Sequence, residues 1–234
     1  MANKFIFDVD GTLTPSRQTM NSDFQRWFLE FCYDNDVYLV TGSDYPKTLE
    51  QVGKSICESV ERVYNCSGND VWAAGTNIRT NNWTLPEDAH EWLAQELTSS
   101  IYNVRTGLHF EHRSGLVNFS IVGRNATTKQ RSDYVAYDEY SGERIYIANK
   151  FNLLFPSLQA TVGGETGIDV YPKGNDKSQI LKDFSNDDKI YFYGDKMEPG
   201  GNDYPLSKAI IDTQLGSTIA VNDWKDTWRL LQEL

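Results

Sequence analysis

A chain of 234 residues with 39% hydrophobic and 24% charged side chains has ordinary globular composition, which excludes disorder, collagen-like repeats and coiled coil. It carries 33 Asp+Glu against 22 Lys+Arg, a formal net charge of −11. So acidic a surface repels phosphate backbones and anionic lipid, so no nucleic acid and no membrane is expected as a partner; a small anionic ligand needs only a local reversal of sign.

Lys4-Phe5-Ile6-Phe7 reads as a short buried strand, ended by Asp8-Val9-Asp10-Gly11. Phe24, Trp27, Phe28 and Phe31 recur at i, i+3, i+4 and i+7 and predict an amphipathic helix, with Ser22 and Gln25 as its capping box. A second strand is expected over 37–40, closed by Thr41-Gly42-Ser43. A helix follows, with Pro46 in its first turn and Leu49, Val52 and Ile56 on its buried stripe. Strands alternating with helices at this interval predict βαβ units and a parallel sheet.

From about Arg79 to Tyr171 the character changes. A helix is expected over 87–98, then strands over 108–112 and 117–122 joined around Ser114-Gly115. Helices start at Thr128 and Glu143, and strands follow over 160–162 and 168–171. Strands at hairpin spacing imply an antiparallel α+β insert. The earlier rhythm resumes with Asp176 as an N-cap, a helix through Phe184 and a strand over 190–193. A strand over 218–221 and a helix carrying Trp224, Trp228 and Leu231, capped by Asp223, complete the chain. The expected architecture is α/β: a Rossmann-like parallel-sheet core made of residues 1–78 and 172–234, interrupted by an inserted α+β cap of residues 79–171. Cys32, Cys57 and Cys66 show neither CxxC nor metal spacing and read as reduced core thiols of a cytoplasmic protein. No run approaches the roughly 18 apolar residues of a membrane span, and residues 1–4 show no apolar leader.

Asp8 and Asp10 stand where the first strand ends, the edge at which parallel sheets bind ligands. Two carboxylates so close cannot both stay ionised cheaply without a cation. Asp195 directly follows the strand ending at Gly194, and Gly200-Gly201-Asn202-Asp203 lies just beyond, so further carboxylates can complete an oxygen shell for Mg²⁺. Lys177, opening a helix, and Ser43, following a strand, add a cation and a hydroxyl at the same edge. Taken singly, each feature also fits a turn, a solvated first-turn residue or a helix cap.

In this order, the four features resemble the haloacid dehalogenase superfamily of phosphotransferases, and so imply that fold for the core. The resemblance makes Asp8 the nucleophile that forms an aspartyl-phosphate and Asp10 the general acid/base. Ser43 and Lys177 would hold the phosphoryl oxygens. Asp195 would bind Mg²⁺ with Asp8 and the backbone carbonyl of Asp10, with Asn202 and Asp203 behind them. The chemistry is self-consistent, since cations around the carboxylate let it attack an anionic phosphate.

Further motifs narrow the likeness: Asp8-Val9-Asp10-Gly11-Thr12-Leu13-Thr14 with Arg17, Gly42-Ser43-Asp44, Arg113-x-Gly-x-x-Asn118, Ile121-Val122-Gly123-Arg124 and Arg131. Gly163-Gly164, Asp169-Val170-Tyr171-Pro172-x-Gly174-x-Asp176-Lys177 and Tyr193-Gly194-Asp195-Lys196-Met197-x-Pro199-Gly200-Gly201-Asn202-Asp203 follow in order. From Phe5 to about Asp203 the chain is similar to the eukaryotic-type α-phosphomannomutase family. The resemblance implies interconversion of mannose 1-phosphate and mannose 6-phosphate. Arg17, Arg113, Arg124 and Arg131 would grip the distal phosphate and sugar, with Asp169 toward the sugar hydroxyls. It also implies a sugar 1,6-bisphosphate activator and a homodimer paired through the cap.

Local charge agrees with that expectation: residues 105–131 hold Arg105, Arg113, Arg124, Lys129 and Arg131 against Glu111 alone, and arginine forks suit phosphate. Three positions depart from the family pattern. Gly167 stands where it has a serine, Asn175 where it has an aromatic, and Tyr204-Pro205-Leu206-Ser207-Lys208 where it has a loop for a second cation. The competing readings are a sugar-phosphate phosphatase on the same scaffold and a catalytically silent binding module.

Overall fold

The computed structural model describes residues 3–234; Met1 and Ala2, part of the segment read above as lacking a leader, lie outside them. In chain order the first elements are β1 (Asn3–Asp8), α1 (Ser22–Asp34), β2 (Asp36–Val40), α2 (Tyr45–Val52), α3 (Lys54–Ser59), β3 (Arg62–Asn65), β4 (Asp70–Ala73) and β5 (Thr76–Thr80). Next come α4 (Glu87–Ser99), β6 (Phe110–Arg113), β7 (Leu116–Phe119), α5 (Thr128–Ser141), α6 (Glu143–Leu154), β8 (Leu158–Gly163) and β9 (Gly167–Pro172). The chain ends with β10 (Lys189–Gly194), α7 (Tyr204–Thr213), β11 (Gly216–Ala220) and α8 (Trp224–Leu231). Contacts divide it into two units, Met1–Asn81 with Gly174–Leu234, and Asn82–Lys173.

The first unit holds a seven-stranded sheet in the order β11-β10-β1-β2-β3-β4-β5. The pairs from β11 to β3 are parallel, and β3-β4 and β4-β5 are antiparallel. β1 lies between β10 and β2 because Phe5, Ile6 and Phe7 are apolar on both of its faces, the pattern of a strand covered on both sides. Phe5 and Phe7 pack with Phe24 and Phe28 of α1, whereas Ile6 joins Ile180, Leu206 and Ile210. Phe7 meets Phe28 edge-on at 5.1 Å and stacks on Tyr193 at 4.9 Å. Each such ring contributes about 1.5–3 kcal/mol by burial. Cys32, Cys57 and Cys66 are buried, and burial pushes the thiols of Cys32 and Cys57 up to about 12.

Several local expectations are corrected. The cap of α1 is Asn21, whose Oδ1 accepts from the backbone N–H of Asp23 (3.0 Å) and Phe24 (3.1 Å), while Ser22 is already helical. The stripe Leu49, Val52, Ile56 belongs to two helices, α2 and α3, because Gly53 at φ 86° breaks the run. A side chain at Gly53 would stand 2.6 Å from the Gln25 amide, which donates instead to the Val52 carbonyl. The segment after Asp176 is a 3-10 helix, Lys177–Asp183, although Asp176 does cap it through Ser178. β7 stops at Phe119 and not at 122, where Ser120 turns to bond Thr166 and Gly123.

The units also divide slightly later than expected, because β5 pairs into the first sheet and Arg79 anchors there on Asp183, with bonds of 3.0 and 2.7 Å. Burial raises the Asp183 carboxyl, but the Arg79 hydrogen bonds outweigh it and hold it below its ordinary value. A carboxyl depressed in the fold stabilises above its unfolded value of about 3.9 and loses that contribution as pH falls through the folded one. Asp183→Asn should therefore cost about 1 kcal/mol at pH 6, screening at the half-open Arg79 allowed for. It should cost less at pH 3, as urea midpoints at the two pH values would reveal; an equal cost at both would refute the linkage.

The second unit is an antiparallel sheet in the order β6-β7-β9-β8. Phe119, Leu158 and Val170 pack with Leu93 of α4, Tyr134 of α5 and Phe151 of α6. Its strands and helices give the α+β character expected for residues 79–171. No helix among the described residues is long and apolar enough to cross a membrane.

Candidate active site

In the first unit, the register of β1 decides what meets at its carboxyl end. Asp8 pairs with Val40 of β2, so Thr41-Gly42-Ser43 leaves the sheet beside it; Phe7 pairs with Tyr193 of β10, so Asp195 leaves on the other side. Lys177, at the start of the 3-10 helix, donates from Nζ to Asp8 Oδ1 at 2.5 Å and to Asp203 Oδ1 at 2.7 Å. All three are almost fully withdrawn from solvent, at 2%, 1% and 0% exposure for Asp8, Lys177 and Asp203. Asp203 Oδ2 accepts the Lys196 N–H at 3.1 Å, and Thr12 Oγ1 lies 3.4 Å from Asp8 Oδ2 as donor.

Carboxylate oxygens of Asp8, Asp195 and Asp203 lie within 4.8 Å of one another. Gly11, at φ 83°, makes room for this: a Cβ there would fall 2.3 Å from Asp195 Oδ2. Three carboxylates against one ammonium leave excess negative charge in a buried space. Burial, then Asp203, pushes the Asp8 carboxyl up to about 8 against the opposing pull of Lys177. Burial also raises Asp195, with Asp203 adding to it against Lys196. For Lys177, burial lowers the ammonium but Asp203 and Asp8 outweigh it and keep it charged. An all-oxygen, convergent, negatively charged donor set fits a hard divalent cation. Asp203, expected behind the metal ligands, is thus a direct member of the carboxylate group, while Asn202 is exposed in the preceding loop.

The Asp10 carboxylate turns elsewhere. Its Oδ1 accepts from the Arg17 N–H at 2.6 Å and from Gln51 Nε2 at 2.9 Å. Arg17 adopts φ 60° in that turn, and the residue is exposed. Ser43 donates its backbone N–H to Thr41 Oγ1 at 3.1 Å, and its hydroxyl makes no hydrogen bond among the described residues. Sequence reasoning gave no role to Thr12, quoted only within its motif, and missed two further buried supports of this edge: Gln51, and Thr227 of α8, whose hydroxyl donates to the Thr12 carbonyl at 2.7 Å. Gln51 and Thr227 are single polar residues on the buried faces of helices and carry no periodic signal that could have singled them out.

In the second unit the strand register sets Glu111, Asn118, Asp169 and Thr161 in one row across the sheet. Asn118 Nδ2 donates to Asp169 Oδ1 at 2.6 Å. Arg113 bonds Glu111 Oε1 at 3.0 Å, and Arg124 pairs with Glu111 Oε2 and donates to Asn118 Oδ1 at 3.2 Å. The structure therefore brings Arg113, Arg124 and Asp169 into one network, whereas Arg131 pairs with Glu165 at 2.8 Å. Glu111, the lone carboxylate in the basic stretch, is the counter-anion of two of its arginines.

Residues 27–234 match the family model described as eukaryotic phosphomannomutase. The chain is 31% identical over 240 residues to the phosphomannomutase of Saccharomyces cerevisiae, covering 98% of this chain and 92% of that protein. It is 30% identical over 222 residues to the phosphomannomutase of Triticum aestivum, covering 92% and 88%. Among solved structures, a haloacid dehalogenase-like hydrolase from Bacteroides thetaiotaomicron superposes with a TM-score of 0.63 at 12% identity, over 100% of this chain and 99% of that one. A trehalose-6-phosphate phosphatase related protein superposes at 0.58 and 14% identity, over 98% and 96%. At such identities the two structures show a common fold.

Proposed function

Because the chain belongs to the eukaryotic phosphomannomutase family, we propose that it interconverts hexose 1-phosphate and hexose 6-phosphate, mannose first among the sugars, by carrying the phosphoryl group on Asp8. The observation that supports this most is the buried Lys177 bridging Asp8 and Asp203 beside Asp195. That arrangement orients the carboxylate, shields it from water and sets an ammonium against the burial that raises it, and a cation held there would add to that pull toward the anionic nucleophile. Asp8 Oδ attacks phosphorus as the phosphorus–sugar oxygen bond breaks, and Asp10 gives its proton to the departing oxygen. The return half-reaction reverses these roles, with the sugar's other hydroxyl as acceptor.

Lys177 and the Ser43 hydroxyl would hold the phosphoryl oxygens. Asp8, Asp195 and the Asp10 carbonyl would hold Mg²⁺, with Asp203 fixing Lys177 beside them. When bound, Mg²⁺ supplies positive charge that offsets the anions on both reactants. Arg17, Arg113, Arg124 and Arg131 would take the non-reacting phosphate, and Asp169 the sugar hydroxyls. Arg113 and Arg124 already rest on Glu111, so a phosphate would compete with that carboxylate for them.

The test is incubation with mannose 1-phosphate and Mg²⁺, with and without glucose 1,6-bisphosphate, quantifying mannose 6-phosphate and free phosphate. Mannose 6-phosphate is expected in excess and faster with the bisphosphate. Arg124→Ala should reduce mutase turnover about tenfold or more beyond any loss on p-nitrophenyl phosphate, the scale of one charged hydrogen bond. Free phosphate as the sole product would replace this reading with a phosphatase.

A further inference from the structure

Gln51 lies on α2, 1% exposed, where the neighbouring Val52 is core. Its amide nitrogen reaches two acceptors, Asp10 Oδ1 at 2.9 Å and Thr14 Oγ1 at 3.2 Å. The chemistry of these partners assigns the amide's orientation. Asp10 offers an acceptor oxygen, and the Thr14 hydroxyl hydrogen is directed to the Val9 carbonyl at 3.3 Å, so both present lone pairs. The amide carbonyl, Oε1, is buried with no hydrogen-bond partner. A position serving only to fill the core would carry an apolar side chain and avoid that desolvation cost. The two N–H contacts are what the amide gains in return.

Both donors to Asp10, from Gln51 and from the Arg17 backbone, converge on one oxygen, Oδ1. Oδ2 accepts no hydrogen bond among the described residues. We propose that Gln51 is a positioning residue that, with the Arg17 N–H, locks the Asp10 carboxyl by Oδ1 and leaves Oδ2 as the oxygen that exchanges the proton with the sugar hydroxyl. The proposal rests on the reading of Asp10 as the acid/base. The balance is that given above: the phosphorus–sugar oxygen bond breaks with its electron pair on oxygen, the Asp10 proton fills it, and Asp10 is left as carboxylate. α2 is thereby a member of the catalytic apparatus without touching substrate.

The two roles separate through the leaving group. A sugar alkoxide needs a proton to depart, whereas p-nitrophenolate leaves as the anion, so misplacing the acid slows phosphorylation of Asp8 by the sugar phosphate but not the first, single-turnover release of p-nitrophenolate, which precedes the base role of Asp10. Gln51→Met keeps the length and removes both donors; Gln51→Glu keeps the shape and sets a second carboxylate against Asp10. Each is assayed with mannose 1-phosphate and with p-nitrophenyl phosphate, beside Asp10→Asn. In both variants kcat on the sugar phosphate should fall about 10- to 100-fold relative to the single-turnover rate of p-nitrophenolate release, within the range by which acid catalysis contributes, with little change in KM. Equal losses on both substrates, or none, from whichever variant folds would overturn the positioning role. If Asp10→Asn alone shows the leaving-group split, the assignment to Gln51 fails while Asp10 stands. If Asp10→Asn shows no split, the acid/base reading fails and this proposal with it.

Discussion

Asp8→Asn is expected to abolish phosphoryl transfer, by at least ~10⁴-fold in turnover, the scale at which loss of a covalent nucleophile is felt, with the fold intact. An amide nitrogen or oxygen in that place cannot form the acyl phosphate, yet it matches the carboxylate in size and still offers Lys177 an acceptor. Stability should not fall, because the substitution removes one anion from a group in which three carboxylates face a single ammonium. Burial and Asp203 already push the Asp8 carboxyl up to about 8, so the fold holds that charge at a cost. Turnover, incorporation of labelled phosphate into the protein, and the urea midpoint should be measured together. Turnover within tenfold of wild type, or a labelled variant, would refute the nucleophile assignment.

Lys177→Met should be the most damaging substitution for stability. The ammonium is 1% exposed and is the direct partner of both Asp8 and Asp203. Removing it leaves two buried carboxylates uncompensated, which typically costs 3–5 kcal/mol, about a third or more of the stability of a domain. The defect should be larger at pH 8 than at pH 5.5, because an acid whose folded value is raised loses stability as pH increases through it. Activity should fall about 10³-fold, since the same nitrogen is proposed to face the phosphoryl oxygens. A midpoint within 1 kcal/mol of wild type at pH 8 would show that other groups compensate the pair.

The parts of the molecule legible in the amino-acid order are those where one physical requirement acts alone. Phe5-Ile6-Phe7 must be covered on both faces, so it announced a strand inside the sheet; Asp8 and Asp195 follow their strands directly, so their meeting at one edge was foreseeable. The Ser114-Gly115 turn likewise disclosed an antiparallel hairpin, expected over 108–112 and 117–122 and found as β6 and β7. Other parts answer to several requirements at once. β5, Thr76–Thr80, is a polar and largely exposed strand that exists because β4 lends it an edge, not because its side chains ask for one. α7 begins at Tyr204-Pro205 and buries only Leu206, Ser207 and Ile210, a stripe too short to stand out by periodicity. Asn21 outcompeted Ser22 as a cap because its longer side chain, one residue earlier, reaches two N–H groups. In the sequence Glu111 is the one acid within a basic stretch, and only the structure reveals it as the partner of Arg113 and Arg124.

The interleaving of the two units has a consequence for how the chain comes to be folded. Asn82–Lys173 is one unbroken stretch whose contacts can close as soon as it is synthesised, while the other unit is assembled from both ends of the chain. β1 finds β2 early, but its opposite edge waits for β10, and Phe7 waits for the ring of Tyr193. For that interval an apolar strand is left with an open row of N–H and C=O groups, the kind of edge on which chains pair with one another. Loop-closure entropy over so long a separation also makes that final pairing slow. Lys177, Asp195 and Asp203 all arrive with the last segment, so a nascent chain holds Asp8 and Asp10 long before it can use them. Truncation before Lys177 removes β10 and all three of these residues, so catalysis and closure of the sheet are lost together.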